Sequence, residues 1–400
     1  MANVSSSNGL EKRPKLRFPG FDEPYRKCRI GDVYAERSQR EAGDMELLSV
    51  TMNNGVMPRS EIEGKDNSSE DKSNYKVVCK GDMVYNSMRM WQGANGVSDY
   101  DGIVSPAYTV LMPTEEIDNQ YFAALFKTSN LINEFRKNSQ GLTSDTWNLK
   151  YPQICAIRLS IPSLQEQHKI SAFIGALEER IGKQRQLVDA LKKYKRGLQN
   201  RFFFKRSQLS QKTSEIGSHE VKPLGSIVQI NPKTGSLPEA FIYIDLECVE
   251  GGVLNSKKLI SRNSAPSRAQ RLLEKGDLIY QMVRPYQKNN YYFQKAFEYP
   301  TVASTGYAQI RCSEMDTQFI YEQLSSDYFA HEAMLRSTGT GYPAINADDL
   351  AEIPIWVPPF ERQQKVGAVL SFIGAKIEAN QRMLSALCRV KSSLLQQLFI

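Results

Sequence analysis

The chain contains a long internal duplication. Residues 161–203 align without a gap onto residues 357–399, and ten of the 43 aligned positions are identical. Both copies have the pattern of one long amphipathic helix, and each follows a mixed segment of similar length. An offset of this size is too long for a solenoid repeat. The sequence therefore predicts two copies of one module, each a mixed domain followed by a long helix.

Short motifs extend the duplication upstream of the helices. Gly81-Asp82-Met83-Val84-Tyr85 matches Gly276-Asp277-Leu278-Ile279-Tyr280, and Arg89 then matches Arg284. The matches keep their order although their offsets differ slightly. This drift indicates small insertions within a shared fold.

Each long helix carries an apolar stripe with alternating spacings of four and three residues, which is typical of a coiled-coil seam. Two polar residues interrupt each stripe at equivalent places, Gln184 with Asn380 and Lys195 with Lys391. We therefore expect the helices to pair; the alternative is that each packs on a globular domain. The predicted seam consists of Ile174, Leu177, Ile181, Gln184 and Leu191 in the first helix, and Leu370, Ile373, Ile377, Asn380 and Leu387 in the second.

The predicted fold class is α+β, with two similar mixed α/β domains separated by two long antiparallel coiled-coil helices and related by a pseudo-twofold axis. Strands are predicted at 75–85, 104–112, 240–244, 277–283 and 303–312, and helices at 121–136 and 318–335. The predicted boundaries are a disordered tail (1–17), a first domain (18–160), a first helix (161–204), a linker (205–219), a second domain (220–356) and a second helix (357–400).

Charge and composition narrow the function classes. The net charge of +7 and the pI of about 8.9 are a mild bias towards polyanionic partners. The six cysteines form no Cys-x-x-Cys pair and the three histidines are isolated, so we expect no metal site. Scattered cysteines of this kind are typical of a reduced, cytoplasmic protein. No stretch approaches the roughly 18 apolar residues of a membrane span.

The sequence has few signs of catalytic chemistry. It lacks a Gly-x-x-x-x-Gly-Lys-Ser/Thr loop for nucleotide hydrolysis and the Asn/Asp-Pro-Pro-aromatic tetrapeptide of an amino-methyltransferase. Gly339-Thr340-Gly341 is more typical of a turn than of a phosphate cradle. The acidic stretch 66–72 faintly resembles a nuclease metal site, but it is more typical of a solvated loop. We expect a binding protein without an active site of its own.

Amides, arginines and aromatic residues follow each Gly-Asp motif. Arginine can read guanine, and Asn or Gln can read adenine, through paired hydrogen bonds in the major groove of DNA. Glycine-bearing loops at 139–144 and 337–342 lie further along each module. The predicted DNA-binding residues are Asn86, Ser87, Arg89, Trp91, Gln92, Asn95 and Ser144 in the first module, and Gln281, Arg284, Tyr286, Lys288, Asn289, Thr340 and Tyr342 in the second.

These motifs resemble those of the specificity subunits of type I restriction–modification enzymes. The resemblance rests on the two Gly-Asp-x-x-Tyr motifs, the Gly-Ile-Val-Ser-Pro-Ala-Tyr run at 102–108, and Ile-Pro-x-Leu-x-Glu-Gln at 161–167, which reappears as Val-Pro-Pro-Phe-Glu-Arg-Gln at 357–363. It covers residues 19–400. The second module departs from the first at Ser304-Thr305-Gly306-Tyr307, which stands opposite Ser105-Pro106-Ala107-Tyr108.

The resemblance implies a specific function. Each domain, a target-recognition domain, would read one half of a split, asymmetric site in double-stranded DNA, and the helices would set the gap between the halves. Two methyltransferase subunits would dock through the helices, and restriction/translocase subunits would join the complex. S-adenosylmethionine, ATP and Mg²⁺ would then belong to those partners, and this chain would hold no cofactor.

Two alternatives remain open at this point. The chain could be a coiled-coil scaffold or regulatory protein whose domains bind other proteins. It could also be a stand-alone nuclease that uses the acidic stretch 66–72. A DNA reader loses affinity steeply with added salt, whereas a nuclease cuts with Mg²⁺ and no partner.

Overall fold

The computed structural model describes residues 14–40, 45–52, 55–64, 66, 68–204 and 220–399. Within these residues the chain divides into two compact units. One contains the described residues up to Gln184 together with those from Met383 onward, and the other contains the described residues from Arg185 to Arg382. The predicted linker, 205–219, and residues 1–13 of the predicted tail lie outside the described residues.

The first module is built mainly of short antiparallel strands. Its strands are β1 (Arg26–Arg29), β2 (Tyr34–Glu36), β3 (Leu48–Thr51), β4 (Gly55–Pro58), β5 (Lys76–Val78), β6 (Met83–Asn86), β7 (Asn95–Val97), β8 (Gly102–Val104), β9 (Tyr108–Pro113) and β10 (Arg158–Ile161). Its short helices are α1 (Ile30–Val33), α2 (Asn119–Leu125), α3 (Ser129–Asn138) and α4 (Tyr151–Ile154). The central sheet has the order β2-β9-β6-β7, and the remaining strands pair as β1-β10, β3-β4 and β5-β8.

The second module repeats the central sheet in the order β12-β21-β18-β19 and the terminal pair as β11-β22. Its other strands form the sheet β16-β13-β20-β17 and the pair β14-β15. The strands are β11 (Glu220–Pro223), β12 (Gln229–Ile230), β13 (Ala240–Ile244), β14 (Val249–Glu250), β15 (Val253–Leu254), β16 (Lys258–Ser261), β17 (Ala269–Leu273), β18 (Leu278–Gln281), β19 (Tyr291–Tyr292), β20 (Thr301–Ser304), β21 (Tyr307–Arg311) and β22 (Pro354–Val357). Three short helices are α6 (Thr317–Leu324), α7 (Asp327–Leu335) and α8 (Ala347–Ala351).

Strand β6 shows how each central sheet is buried on both faces. Successive side chains of a strand point to opposite faces. Accordingly, Met83 and Tyr85 join the core beside the helices, whereas Val84 joins a separate cluster with Val110 on the other face. Strand β18 repeats this division at Leu278, Ile279 and Tyr280. The mixed helix-and-strand modules predicted from the sequence are therefore confirmed.

Several predicted elements are shorter in the structure. The strand predicted at 75–85 is two strands, β5 and β6, because the chain turns at Gly81, where φ is +96°. The helix predicted at 121–136 is also interrupted, since the hydroxyl of Thr128 accepts a hydrogen bond from the Leu131 N–H and caps a new helix. Ser326 interrupts the corresponding prediction at 318–335 by capping α7 in the same way.

The two long helices are α5 (Leu164–Gln199), which continues as a π-helical turn (Asn200–Phe204), and α9 (Phe360–Leu398). Each begins later than predicted, because residues 161 and 357 end the strands β10 and β22. Every predicted seam residue is buried or half-buried, while most intervening helical residues are exposed.

Each compact unit joins the beginning of one long helix to the end of the other. In the first unit, Ile170 and Ile174 share a core with Leu394 and Leu398. In the second, Val366 and Leu370 share a core with Leu198 and Phe202. The helices therefore run antiparallel, as predicted.

The seam lysines form different ion pairs in the two units. Lys195 lies 2.9 Å from the buried Glu322 carboxylate, whereas Lys391 lies 2.5 Å from the half-exposed Glu178 carboxylate. The charges of both seam lysines are therefore neutralised, although the partner carboxylates belong to different elements. The sequence indicates the two lysines but not their partners.

The predicted disordered tail extends too far along the chain. Within residues 14–17, the Leu16 N–H donates to the Gln397 carbonyl at 2.9 Å. The Arg17 guanidinium forms two hydrogen bonds, of 2.8 and 2.9 Å, with the buried carboxylate of Glu166. A buried carboxylate requires such a partner, which explains why this segment is held in place.

Candidate DNA interface

A buried Gly-Asp turn directs the chain from β6 into the first predicted DNA-binding loop. Gly81 has a positive φ, which glycine adopts without steric cost. The Asp82 carboxylate accepts a hydrogen bond from the Cys79 N–H at 2.8 Å and pairs with the Arg37 guanidinium at 2.7 Å. The Gly-Asp-x-x-Tyr motif is therefore a structural device that fixes where β6 begins.

The second module repeats the turn with a guanidinium from another strand. Gly276 has a φ of +102°, and the Asp277 carboxylate accepts from the Glu274 N–H at 2.7 Å. Its cationic partner is Arg311, at 2.8 Å, on β21 rather than after β12. The same buried ion pair therefore recurs although the cation occupies a different position in the sequence.

Two loops meet at the end of β6, and we call residues 86–95 and 139–149 the first loop cluster. The Leu149 N–H donates to the Ser87 carbonyl at 2.8 Å, and the Tyr85 hydroxyl donates to the Leu149 carbonyl at 3.1 Å. The rings of Trp91 and Trp147 meet edge to face, with centroids 5.2 Å apart. The structure thus brings the two predicted segments of the first module together.

The second loop cluster, residues 281–290 and 337–345, has the same construction. The Ile345 N–H donates to the Met282 carbonyl at 3.0 Å, which corresponds to the bond between Leu149 and Ser87. A further bond joins the Arg284 N–H to the Pro343 carbonyl at 2.7 Å. Equivalent backbone contacts therefore hold equivalent loops in both modules.

Three predicted DNA-binding residues are buried and cannot reach a base. The hydroxyl of Ser87 hydrogen-bonds the Thr109 hydroxyl, and the Asn95 amide donates to the Gly93 carbonyl. The Gln281 amide lies between Gln287 and the Asn289 N–H. These predictions are wrong, because the polar groups hold the loops in shape.

Other predicted residues use their polar groups within the protein. The side-chain oxygens of Asn86 and Asn289 accept backbone N–H groups of Met88 and Gly251. The Trp91 ring N–H donates to the Met88 carbonyl at 3.0 Å. The Lys288 ammonium, also predicted to bind DNA, pairs with the Asp327 carboxylate in this structure.

The remaining predicted residues reach solvent in their loop clusters. Arg89 is exposed, and its guanidinium forms no hydrogen bond or ion pair with another described residue. Arg284 is half-buried, has a φ of +56°, and stacks its guanidinium 4.3 Å from the centre of the exposed Tyr342 ring. The other residues of this group are Gln92, which is half-buried, and Ser144, Tyr286 and Thr340, which are exposed.

The described residues of the acidic stretch, 66 and 68–72, lie in a loop and are exposed or half-buried. The carboxylates of Asp66 and Asp71 accept hydrogen bonds from the nearby N–H groups of Ser68 and Ser73. Among the described residues, no group of three His, Cys, Asp or Glu side chains is arranged to hold a metal ion.

None of the described helices has the length and apolar character needed to cross a membrane.

Comparison with known families shows that one family model matches both modules. The model of the type I restriction modification DNA specificity domain matches residues 25–193 and again residues 219–388. The chain belongs to this family of DNA specificity subunits. The matched ranges contain both loop clusters, and their repetition confirms the predicted duplication.

Relatives of this specificity chain have diverged far in sequence. The MjaVIII specificity subunit of Methanocaldococcus jannaschii is 23% identical over 354 residues, covering 82% of this chain and 81% of the relative. The HindI specificity subunit of Haemophilus influenzae is 27% identical over 160 residues, covering 38% of this chain and 34% of the relative.

Solved structures show that the fold is shared. The type I restriction–modification S subunit from M. genitalium has a TM-score of 0.63 at 16% identity, with 97% of this chain and 99% of that chain covered. A chain from a structure that addresses complex assembly and conformational transition of the type I system has a TM-score of 0.54 at 17% identity, with 96% and 99% covered. Both likenesses describe the architecture, not the sites.

Sequence reasoning missed one residue of the first loop cluster in this specificity chain and one residue beside it. Arg136, on α3, places its guanidinium 5.2 Å from the centre of the Trp147 ring. Leu142 is fully exposed within the loop that Trp147 anchors. Trp147, an aromatic residue after a polar loop, was the available signal. The residue predicted to bind DNA between positions 139 and 149 was the polar Ser144.

Proposed function

We propose that the chain reads a bipartite DNA site, with one loop cluster for each half. The observation that carries this proposal is the repeated position of Arg89 and Arg284, each in a loop that follows a buried Gly-Asp turn. An arginine so placed can form two hydrogen bonds with a guanine in the major groove. One such arginine in each module would let the chain contact a base in each half of a split site.

The two half-sites differ in sequence under this proposal. The buried framework of the clusters and the position of the arginine are repeated, but the groups around each arginine are not. Arg89 lies in the same loop as Trp91, whereas Arg284 is stacked on Tyr342. Different exposed groups on one framework would select different bases, and the complete site would be asymmetric.

We further propose that the long helices set the gap between the half-sites and dock two methyltransferase subunits. The helices are unbroken over 36 and 39 residues, which suits a stiff spacer. Each also has a second row of side chains at seven-residue intervals, outside the seam. We call this row the outer stripe: Phe173, Arg180, Leu187 and Tyr194 in α5, and Val369, Lys376, Met383 and Val390 in α9.

The outer stripe has the same order in both helices, an apolar residue, a basic residue and two apolar residues. Its six apolar members are between 42% and 59% exposed. Repetition of large exposed apolar residues at one heptad position favours a partner that covers them. Two equivalent stripes would suit two copies of one partner, as expected for the methyltransferase subunits.

Catalysis would belong to the partners. The sequence lacks both a phosphate-binding loop for nucleotide hydrolysis and a methyltransferase tetrapeptide. We propose that S-adenosylmethionine binds the methyltransferase subunits and that ATP and Mg²⁺ serve the restriction/translocase subunits. This chain would supply sequence recognition, and we propose that it is located in the cytoplasm, where it meets the cellular DNA.

Mapping of methylated bases tests the proposal. DNA modified by the chain together with its methyltransferase subunits should carry methyl groups at one split, asymmetric sequence with a fixed gap. The purified chain alone, supplied with S-adenosylmethionine or with ATP and Mg²⁺, should neither methylate nor cleave DNA. Turnover by the chain alone, or a single uninterrupted target sequence, would overturn the proposal.

A further inference from the structure

Leu142 occupies an unusual position in the first loop cluster. Its side chain is fully exposed, in the loop between Gln140 and Asn148. Isolated exposed leucines are common on protein surfaces and need no explanation by themselves. At this position, however, backbone hydrogen bonds close the surrounding loop, and a side chain this exposed buries no apolar surface within the chain.

Hydrogen bonds close the loop around Leu142. The backbones of Gln140 and Asn148 exchange two bonds, of 3.0 and 2.8 Å. Inside them, the Thr146 N–H donates to the Thr143 carbonyl at 3.0 Å, and the Thr146 hydroxyl accepts from the Thr143 N–H at 3.2 Å. These bonds hold the ends of the segment that presents Leu142.

Gly141 allows this tight path. Its φ is +141°, and a Cβ atom added there would lie 2.6 Å from the Thr146 carbonyl oxygen. A side chain at position 141 would therefore force the loop open. The neighbouring Trp147 then anchors the loop, since its ring contacts both the Trp91 ring and the Arg136 guanidinium.

The charge around the loop fits a nucleic acid. Arg89, Arg136 and Lys150 are all exposed in or beside the cluster, whereas Asp145 is the single acidic residue between positions 139 and 150. The nearby Glu134 is paired with Lys137. Such cations attract and position a phosphate backbone. An apolar side chain held beside them would then face the base edges.

We propose that Leu142 contacts the 5-methyl group of a thymine in the major groove of the first half-site. This inference rests on the proposed function, because it requires the first loop cluster to enter the groove. The thymine methyl is the apolar feature that base pairs present there, so an apolar side chain can distinguish A·T pairs by touching it. Leu142 would thus be a specificity-determining residue that forms no hydrogen bond.

The second module does not repeat this contact. Its corresponding loop exposes Tyr342, but that ring is stacked on the Arg284 guanidinium. Tyr342 therefore supports an arginine, whereas Leu142 makes no ring or polar contact with another described residue. Reading of a methyl group should be confined to one half of the DNA site.

Replacement of thymine by deoxyuridine, which lacks only the methyl group, tests the inference. Binding would be measured with the complete chain and its methyltransferase subunits, on duplexes in which each thymine of the mapped site is replaced in turn. At one position in the first half-site, deoxyuridine should weaken binding about fourfold, the effect of one buried methyl group. Leu142→Ala should remove that sensitivity, while Leu142→Met should retain most of it.

Tyr342→Ala provides the matched control, and it should leave the deoxyuridine effect in the first half-site unchanged. The inference fails if no first-half thymine is sensitive, if that half contains no thymine, or if Leu142→Ala keeps the sensitivity. In those cases base-pair changes in both halves would still alter binding, so the proposed function would stand. If no base-pair change altered binding, both the inference and the proposed function would fail.

Discussion

The ring of Phe399 packs against the ring of Tyr121, with centroids 5.2 Å apart. Phe399 follows the end of α9, while Tyr121 lies in α2 of the first module. The corresponding pair in the second module is Phe203 with Phe319, with centroids 5.9 Å apart. The end of each long helix therefore completes the core of the other module's domain.

Removal of the Phe399 ring should destabilise the first unit. Phe399 is 4% exposed, and Phe→Ala at such sites costs about 3–5 kcal/mol. We expect Phe399→Ala to lower the denaturant concentration at which the first unit unfolds, and Phe203→Ala to do the same for the second. Chemical denaturation followed by hydrogen exchange would show which unit has lost stability in each variant. Phe372→Ala, at a position 69% exposed, should change little.

Asp118 should make the stability of the first unit depend on pH. Burial raises the pKa of its carboxyl, but hydrogen bonds from Ser171, His168 and the Tyr121 N–H outweigh burial and lower the pKa below its usual value. The folded state therefore binds the proton less readily than the unfolded state. The stabilisation is present above the unfolded pKa, about 3.9, and is lost as the pH falls through the lower folded pKa.

Asp118→Asn tests this linkage, since asparagine caps a helix as well as aspartate does. At neutral pH the variant should be less stable by about 1 kcal/mol, an estimate reduced for partial exposure. The difference should shrink as the pH falls below about 4 in denaturation experiments. Asp316→Asn, at the equivalent cap in the second module, should lower the free energy of unfolding by a smaller amount. An equal loss at every pH would show that the Asp118 charge is not responsible.

The outer stripe should be needed for assembly and not for folding. Leu187→Glu or Tyr194→Glu would place a charge on a surface that we propose a methyltransferase subunit covers. Each variant should keep its thermal stability and lose binding to that subunit in sedimentation experiments. Ala190→Glu, at an exposed position of α5 outside the stripe, is the matched control. Unchanged assembly of both stripe variants would remove the stripe from the interface.

The sequence predicted the architecture well because duplication leaves a record in apolar spacing. The seam of α5 and α9, the mixed domains and the repeated Gly-Asp turn were all recognisable from spacing and order. Interruptions such as Gly81 and Thr128 were missed, since a polar or flexible residue inside an apolar run is compatible with both continuation and a break.

The candidate site was harder to predict than the fold. Ser87, Asn95 and Gln281 have suitable side chains for reading DNA, but each is buried and holds a loop. Burial of a polar group depends on partners that are distant in the sequence, such as Thr109 for Ser87. Leu142 was missed for the opposite reason. A leucine is usually predicted to be buried, and the sequence does not show that the loop exposes this one to solvent.

The most direct test of the account is a methylation map for Arg89→Ala and Arg284→Ala. Each variant would be assembled with the methyltransferase subunits and given a library of target sites. Loss of a paired base contact should cost about 1–3 kcal/mol and relax base preference at that contact. The account predicts that Arg89→Ala relaxes one half-site and Arg284→Ala relaxes only the other. It would be contradicted if both variants affected the same half, or if folded, active variants kept the full base preference of the unmodified chain.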